Sequence, residues 1–147
     1  MIEVENITKS FDGTQVLKGI STVFEKGKTN LIIGQSGSGK TVFLKCLLGL
    51  FQADSGKILF EGKRLKKMNL KERTILRQEM GMVFQGSALF DSMTVEENIM
   101  FPMQMFTQKG DEEIRDRANS VIKRVNLINA NDKLPDEISG GMKKRVA

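Results

Sequence analysis

The stretch Gly34-Gln35-Ser36-Gly37-Ser38-Gly39-Lys40-Thr41 is the most specific motif of this sequence. A glycine, four free positions and then Gly-Lys-Thr form a pattern typical of a loop that holds phosphate groups. The glycines let backbone N–H groups point at phosphate oxygens, the lysine reaches the β and γ phosphates, and the threonine hydroxyl ligates Mg²⁺. The alternative is a Gly/Ser-rich loop that only turns a strand into a helix. Nucleotide binding is the stronger interpretation.

The residues on either side of this loop predict a strand before it and a helix after it. Residues 29–33 (Thr-Asn-Leu-Ile-Ile) form a short apolar run typical of a buried strand, and residues 42–48 have the apolar density of a buried helix. A helix that begins at Lys40 would direct the positive end of its dipole at the phosphates. Cys46, the only cysteine, is expected on the buried face of that helix.

The composition is that of an ordinary globular protein. The chain has 147 residues, of which 39% are hydrophobic and 28% are charged. No apolar run approaches the roughly 20 residues of a membrane-spanning helix, and the acidic N-terminus is neither a secretory signal nor a transit peptide. The net charge of +5 comes from scattered basic residues without interleaved aromatic ones, so a solvated surface is expected and no nucleic-acid partner. The absence of histidine excludes imidazole as a base or ligand.

The order of predicted elements is a mixed sheet followed by a helical insert. Residues 2–11 and 16–24, joined by the turn Asp12-Gly13, predict an antiparallel pair of strands. The other predicted elements are a strand at 57–61, a helix at 70–79, a core strand at 81–85, a helix that starts at the capping box Thr94–Glu97 and bends or stops near Pro102, and a helix over 111–126.

A second motif, Ser139-Gly140-Gly141, lies near the end of the chain. Ser139 can cap a helix whose first N–H groups are left uncovered by the two glycines, which makes a second anion site. Alone, a Ser-Gly-Gly sequence is usually only a turn. The motif therefore indicates a function only when it is considered together with residues 34–41.

Together the two motifs make the chain resemble the nucleotide-binding domain of ABC transporters over essentially all 147 residues. The resemblance implies ATP and Mg²⁺ as cofactors, and a second copy of the domain that closes head to tail on two nucleotides. It assigns the following roles: residues 34–41 as the Walker A loop, Phe11 and Val16 at the adenine, Lys40 and Gln85 in catalysis, Thr41 and Gln85 at Mg²⁺, and Ser139, Gly140 and Gly141 at the partner's γ-phosphate.

The resemblance also implies the fold and its division. An α/β P-loop NTPase fold is expected, with a mixed sheet, an antiparallel β subdomain and a helical insert. Residues 1–85 would form the ATP-binding core, and residues 86–147 the helical subdomain up to the signature helix. The resemblance stops at Ala147, so the C-terminal part of the core sheet, the Walker B Asp, the Glu base and the switch His are expected to be missing. Residues 1–147 alone are then expected to bind ATP weakly without turnover.

Residues 85–98, together with Met142 where most of the family has glutamine, are similar to the Mla or toluene-tolerance lipid transporters. This similarity implies an integral membrane permease, an MCE-type lipid-binding component and a cytoplasmic position, peripheral on the inner face of the bacterial membrane. The nearby methionines Met93, Met100, Met103 and Met105 either receive the permease's coupling helix or fill the core.

Three alternatives to a transporter ATPase remain. A non-transport ABC ATPase that acts on DNA is disfavoured, because only a compact segment separates Gln85 from Ser139, whereas one that acts on ribosomes stays open. A nucleotide-binding module without catalysis also stays open. An unrelated P-loop kinase would not explain Phe11, Gln85 and Ser139 together.

Overall fold

A computed structural model describes all 147 residues. The chain forms two compact units, Met1–Met80 and Gly81–Ala147. The first carries an antiparallel sheet and two α-helices, and the second carries three α-helices, so the predicted α/β class is confirmed. None of these helices combines the length and the hydropathy that crossing a membrane requires.

The sheet of the first unit has four antiparallel strands in the order β2-β1-β3-β4. The strands are β1 (Ile2–Phe11), β2 (Thr14–Phe24), β3 (Ser55–Phe60) and β4 (Lys63–Arg64). The predicted hairpin is therefore confirmed, with Ile2 opposite Phe24 and Phe11 opposite Thr14. Gly56 has φ +86°, and a Cβ there would lie 2.4 Å from the carbonyl oxygen of Asn6, which only glycine tolerates.

Two helices complete the first unit: α1 (Lys40–Leu47) and α2 (Leu70–Gln78). Three side chains of α1, those of Phe43, Cys46 and Leu47, are buried against the sheet residues Val4, Ile7, Leu17, Ile58 and Phe60. Cys46 is fully buried, as predicted. Helix α2 begins at a capping box in which Asn69 Oδ1 accepts from the Glu72 N–H at 2.9 Å.

The second unit contains α3 (Val95–Phe106), α4 (Asp111–Arg124) and α5 (Gly140–Val146). The predicted capping box is present, since Thr94 Oγ1 accepts from the Glu97 N–H and Glu97 Oε2 accepts from the Thr94 N–H. Helix α3 continues through Pro102 to Phe106, so of the predicted bend or stop near that proline the stop is not found. Two small clusters of buried residues hold the unit together: Val95, Ile122, Leu127, Ala130 and Ile138, and Met100, Ile114 and Ala118.

Two strands predicted from apolar runs, at 29–33 and 81–85, do not form as strands. Leu31 is 84% exposed and Ile33 is 81% exposed, whereas the sequence predicted a buried strand there. Val83 is likewise 62% exposed. A strand is defined by its hydrogen-bonded neighbour, and none of the four strands pairs with either run. The apolar pattern indicated burial but not its partner.

Candidate functional site

In the loop of residues 34–41, the side chain of Lys40 binds the backbone at the start of the loop. Lys40 Nζ donates to the carbonyl oxygens of Gly34 and Gln35, each at 2.7 Å. The Ser38 N–H donates to the Gln35 carbonyl oxygen at 3.2 Å, which bends the loop between them. A lysine ammonium has three donors, so one remains for an anion when two are used by the loop. The loop is thereby ordered around a positive charge.

Gly39, which directly precedes α1, fixes the loop against β2. It has φ +90° and is buried, and a Cβ built on it would lie 3.0 Å from Val16 Cγ1 and 3.1 Å from Leu17 Cδ2. A Cβ at these distances is tighter than ordinary contact, so glycine is favoured here for space as well as for φ. The structure thus brings Val16, predicted at the adenine, against the predicted phosphate loop.

The first turn of α1 supplies the donors that an anion needs. The first backbone bond of the helix runs from the Phe43 N–H to the Gly39 carbonyl oxygen at 2.8 Å, so the N–H groups of Lys40, Thr41 and Val42 precede the intrahelical ladder. Such groups, together with the helix dipole, favour phosphate. Thr41 is exposed at the same end of the helix.

The chain fits a magnesium ion that arrives with a nucleotide better than one held by protein alone. No group of three or more His, Cys, Asp or Glu residues could hold a metal. Mg²⁺ usually keeps few protein ligands and completes its shell with phosphate oxygens and water. One hydroxyl, that of Thr41 beside Lys40, suits that habit.

Phe11, predicted to stack on adenine, lies at the end of β1 and is 37% exposed. Its ring meets Phe51 edge to face, with centroids 5.4 Å apart and an interplanar angle of 66°. Lys9 Nζ lies over the ring, 5.2 Å from its centroid. Sequence reasoning missed Phe51 and Lys9, because neither belongs to a recognisable motif.

Two groups near this part of the fold, the carboxyl of Asp54 and the thiol of Cys46, have shifted pKa values. A hydrogen bond from Lys9, followed by one from the Ser10 N–H, lowers the pKa of Asp54. Burial raises the pKa of the Cys46 thiol, so this cysteine is a packed apolar residue rather than a nucleophile.

The other predicted site residues belong to the second unit. Gln85 is exposed in a turn. Ser139 Oγ accepts from the Met142 N–H at 3.3 Å, so the predicted helix cap is present. A Cβ on Gly140 or Gly141 would meet nothing within 4 Å, and both glycines are exposed. The roles that the sequence assigns to Gln85, Ser139 and the two glycines stay predictions.

The methionine-rich segment divides between core and surface. Met100 is buried with Ile114, whereas Met105 and Phe106 are 60% and 59% exposed. The rings of Phe90 and Phe101 pack with centroids 4.7 Å apart. The core interpretation is therefore confirmed for Met100, whereas docking of a coupling helix stays a prediction.

Comparison with known proteins identifies the family. A family model described as "ABC transporter" matches residues 17–147. The chain is 39% identical over 145 residues to the probable ribonucleotide transport ATP-binding protein mkl of Mycobacterium leprae, covering 99% of this chain and 42% of that protein. It is 36% identical over 147 residues to protein TRIGALACTOSYLDIACYLGLYCEROL 3, chloroplastic, of Arabidopsis thaliana, again covering 42% of that protein.

A solved structure matches the whole chain as well. The dimeric ATP-binding cassette MJ0796, in a post-hydrolysis state bound to ADP and Pi, superposes with a TM-score of 0.89 at 27% identity. The match covers 99% of this chain and 66% of the cassette. The chain thus spans less than half of the curated relatives described above. The P-loop NTPase fold predicted from residues 34–41 is confirmed by this likeness.

Proposed function

The chain belongs to the ABC transporter family of ATP-binding domains, and we propose that it is the nucleotide-binding part of a subunit that hydrolyses MgATP to drive transport. The observation that carries the proposal is the loop of residues 34–41, ordered around Lys40 Nζ and leading directly into α1. Transport and hydrolysis are properties proposed for the whole protein.

Different residues of the loop would contact different parts of the triphosphate. Lys40 keeps one donor for a phosphate oxygen while its other two hold the loop, and the first N–H groups of α1 would donate to further phosphate oxygens. Thr41 would hold the metal ion, which would supply positive charge to the phosphates. Val16 would limit the pocket beside the loop, and Phe11 would stack on adenine.

We propose that a second copy of the domain completes the site. MJ0796, the solved cassette of the same fold, is a dimer. Ser139, Gly140 and Gly141 would supply the trans contact, and the exposure of both glycines leaves their N–H groups approachable. Gln85 would sense the metal and nucleotide, as the resemblance implies.

The proposed cargo is a lipid, moved through an integral permease with an MCE-type component at the inner face of a bacterial membrane. The support is the motif in residues 85–98 with Met142, and the lipid name carried by the Arabidopsis relative. Exposed Met105 and Phe106 would receive the permease's coupling helix. Ribonucleotides are a second candidate cargo, because the mycobacterial relative is named for their transport. Lipid analysis of the whole protein purified with its permease would separate the two.

We also propose that residues 1–147 alone bind MgATP without turning it over, because none of their apolar runs ends in an Asp-Glu pair that could hold the metal and position water. Calorimetry with ATP should show binding by the native sequence and a loss of at least about tenfold in affinity for Lys40→Ala, the usual scale for losing a charged hydrogen bond. Lys71→Ala, which removes an exposed lysine of α2, is the control and should bind normally. Equal binding by all three proteins would refute the proposed site, and phosphate release that depends on Lys40 would refute the absence of turnover.

A further inference from the structure

Asp54 holds the stretch of β1 that ends in Phe11. Its Oδ1 accepts from Lys9 Nζ at 2.8 Å, and its Oδ2 accepts from the Ser10 N–H at 2.6 Å. The Asp54 N–H in turn donates to the Thr8 carbonyl oxygen at 2.9 Å. The register between β1 and β3 ends at Thr8 opposite Ser55, so Asp54 fixes the next two residues where ladder pairing has stopped.

The charge pair reaches the aromatic ring through Lys9. The Lys9 ammonium lies over the ring of Phe11, 5.2 Å from its centroid, while it is bound to Asp54. The Lys9 side chain is only 18% exposed, so its position is confined. Phe51 supports the ring from another side at 5.4 Å, and Lys45 Nζ lies 5.1 Å from the Phe51 centroid. Phe11 nevertheless remains 37% exposed, so part of the residue stays accessible to a flat ligand.

We infer that Asp54 is a positioning residue for nucleobase binding: it fixes Lys9 and Ser10 so that Phe11 presents a preformed stacking surface. The inference rests on the proposed function, in which Phe11 meets adenine. Preformed rings bind better because the ordering cost is met before the ligand arrives. Lys9 adds to the effect, since a cation held on one side of a ring opposes its rotation.

The simpler interpretation is an ordinary surface ion pair, which contributes little. The same sheet provides a matched control. Lys57 Nζ and Glu5 Oε2 are 2.7 Å apart with both side chains about half exposed, and they join β3 to β1 away from Phe11. If a pair matters only by holding strands together, Glu5→Gln and Asp54→Asn should behave alike.

The test compares ATP with tripolyphosphate, which has the phosphates but no base, by calorimetry in the presence of Mg²⁺. Asp54→Asn should weaken ATP binding by about three- to tenfold, the scale of a lost cation–π restraint, and leave tripolyphosphate binding unchanged. Lys9→Gln should do the same, and the double variant should be no weaker than either single one, because both act through one ring. Glu5→Gln should change neither ligand.

The variant Phe11→Ala distinguishes failure of the proposed adenine stacking from failure of the role of Asp54. It should weaken ATP by roughly ten- to hundredfold, the range for loss of base stacking, without affecting tripolyphosphate. If it has no effect, the proposed stacking of adenine on Phe11 is wrong. If it has that effect while Asp54→Asn and Lys9→Gln match Glu5→Gln, or weaken both ligands equally, the role of Asp54 is refuted and the proposed function stands. Lys9→Gln decides the matter should Asp54→Asn fail to fold.

Discussion

Replacing Gly39 by alanine should destabilise the first unit for two separable reasons. The φ of +90° disfavours any residue with a Cβ, by about 1–2 kcal/mol. In addition, the new methyl group would lie 3.0 Å from Val16 Cγ1, 3.1 Å from Leu17 Cδ2 and 3.3 Å from the Val16 carbonyl oxygen, all closer than ordinary contact. Overpacking of this kind costs about 1–3 kcal/mol. The sum predicts a loss of about 2–5 kcal/mol in the free energy of unfolding.

Gly37 provides the matched control within the same loop. Its φ is +78°, close to that of Gly39, but a Cβ there would meet nothing within 4 Å. Gly37→Ala should therefore lose only the backbone part, about 1–2 kcal/mol. Urea unfolding followed by circular dichroism measures both losses.

A second background tests the contact itself. Val16→Ala removes the nearest methyl group, so Gly39→Ala should lose less free energy of unfolding in that background than in the native sequence. Equal losses for Gly37→Ala and Gly39→Ala, or no coupling between positions 16 and 39, would refute the packing of the loop against β2.

Three further predictions follow from buried and charged groups. Asn98→Ala should lower the free energy of unfolding of the second unit by about 2–3 kcal/mol, because the Asn98 amide binds the backbone of Phe90, Met93 and Thr94. Urea unfolding measures this loss, with Gln104→Ala at an exposed position as the control. Equal losses for the two variants would contradict a stabilising role of the Asn98 hydrogen bonds. The Cys46 thiol should react with a disulfide reagent more than about tenfold more slowly in the native protein than in denaturant, because it is fully buried and its pKa is raised. The pKa of Asp54 is lowered in the folded state, so its stabilising effect should be present above the unfolded pKa of about 4 and be lost as pH falls through the lower folded value; the difference in stability between the native sequence and Asp54→Asn should shrink there, and a difference that grows at acid pH would contradict the assignment.

Local signals in the sequence predicted the elements that depend on local chemistry. The hairpin of residues 2–24 follows from alternation and the Asp12-Gly13 turn, and the start of α3 follows from the Thr94–Glu97 capping box. The loop of residues 34–41 was recognisable because each of its parts is needed to hold phosphate. In each case the deciding signal, which is a turn, a cap or a loop, spans only a few residues, so a short pattern contains it.

What the sequence could not predict depends on contacts between distant residues. The apolar run at 29–33 reads as a buried strand, yet Leu31 and Ile33 are exposed, because hydropathy does not specify a hydrogen-bonding neighbour. Asp54 belongs to no motif of the sequence, and its bonds to Lys9 and Ser10 span more than forty positions of the chain. No short pattern reveals a pairing of that range.

The geometry of Lys40 explains why the loop requires lysine and not merely a positive charge. Its ammonium uses two donors to bind the carbonyl oxygens of Gly34 and Gln35 at the start of the loop. Lys40 itself is the first residue of α1, which follows the loop. Three donors arranged around one nitrogen allow the ammonium to bind both carbonyls and keep one donor free, whereas the donors of a guanidinium lie in a fixed plane. Lys40 therefore orders the loop through its two carbonyl contacts, which form without a bound anion.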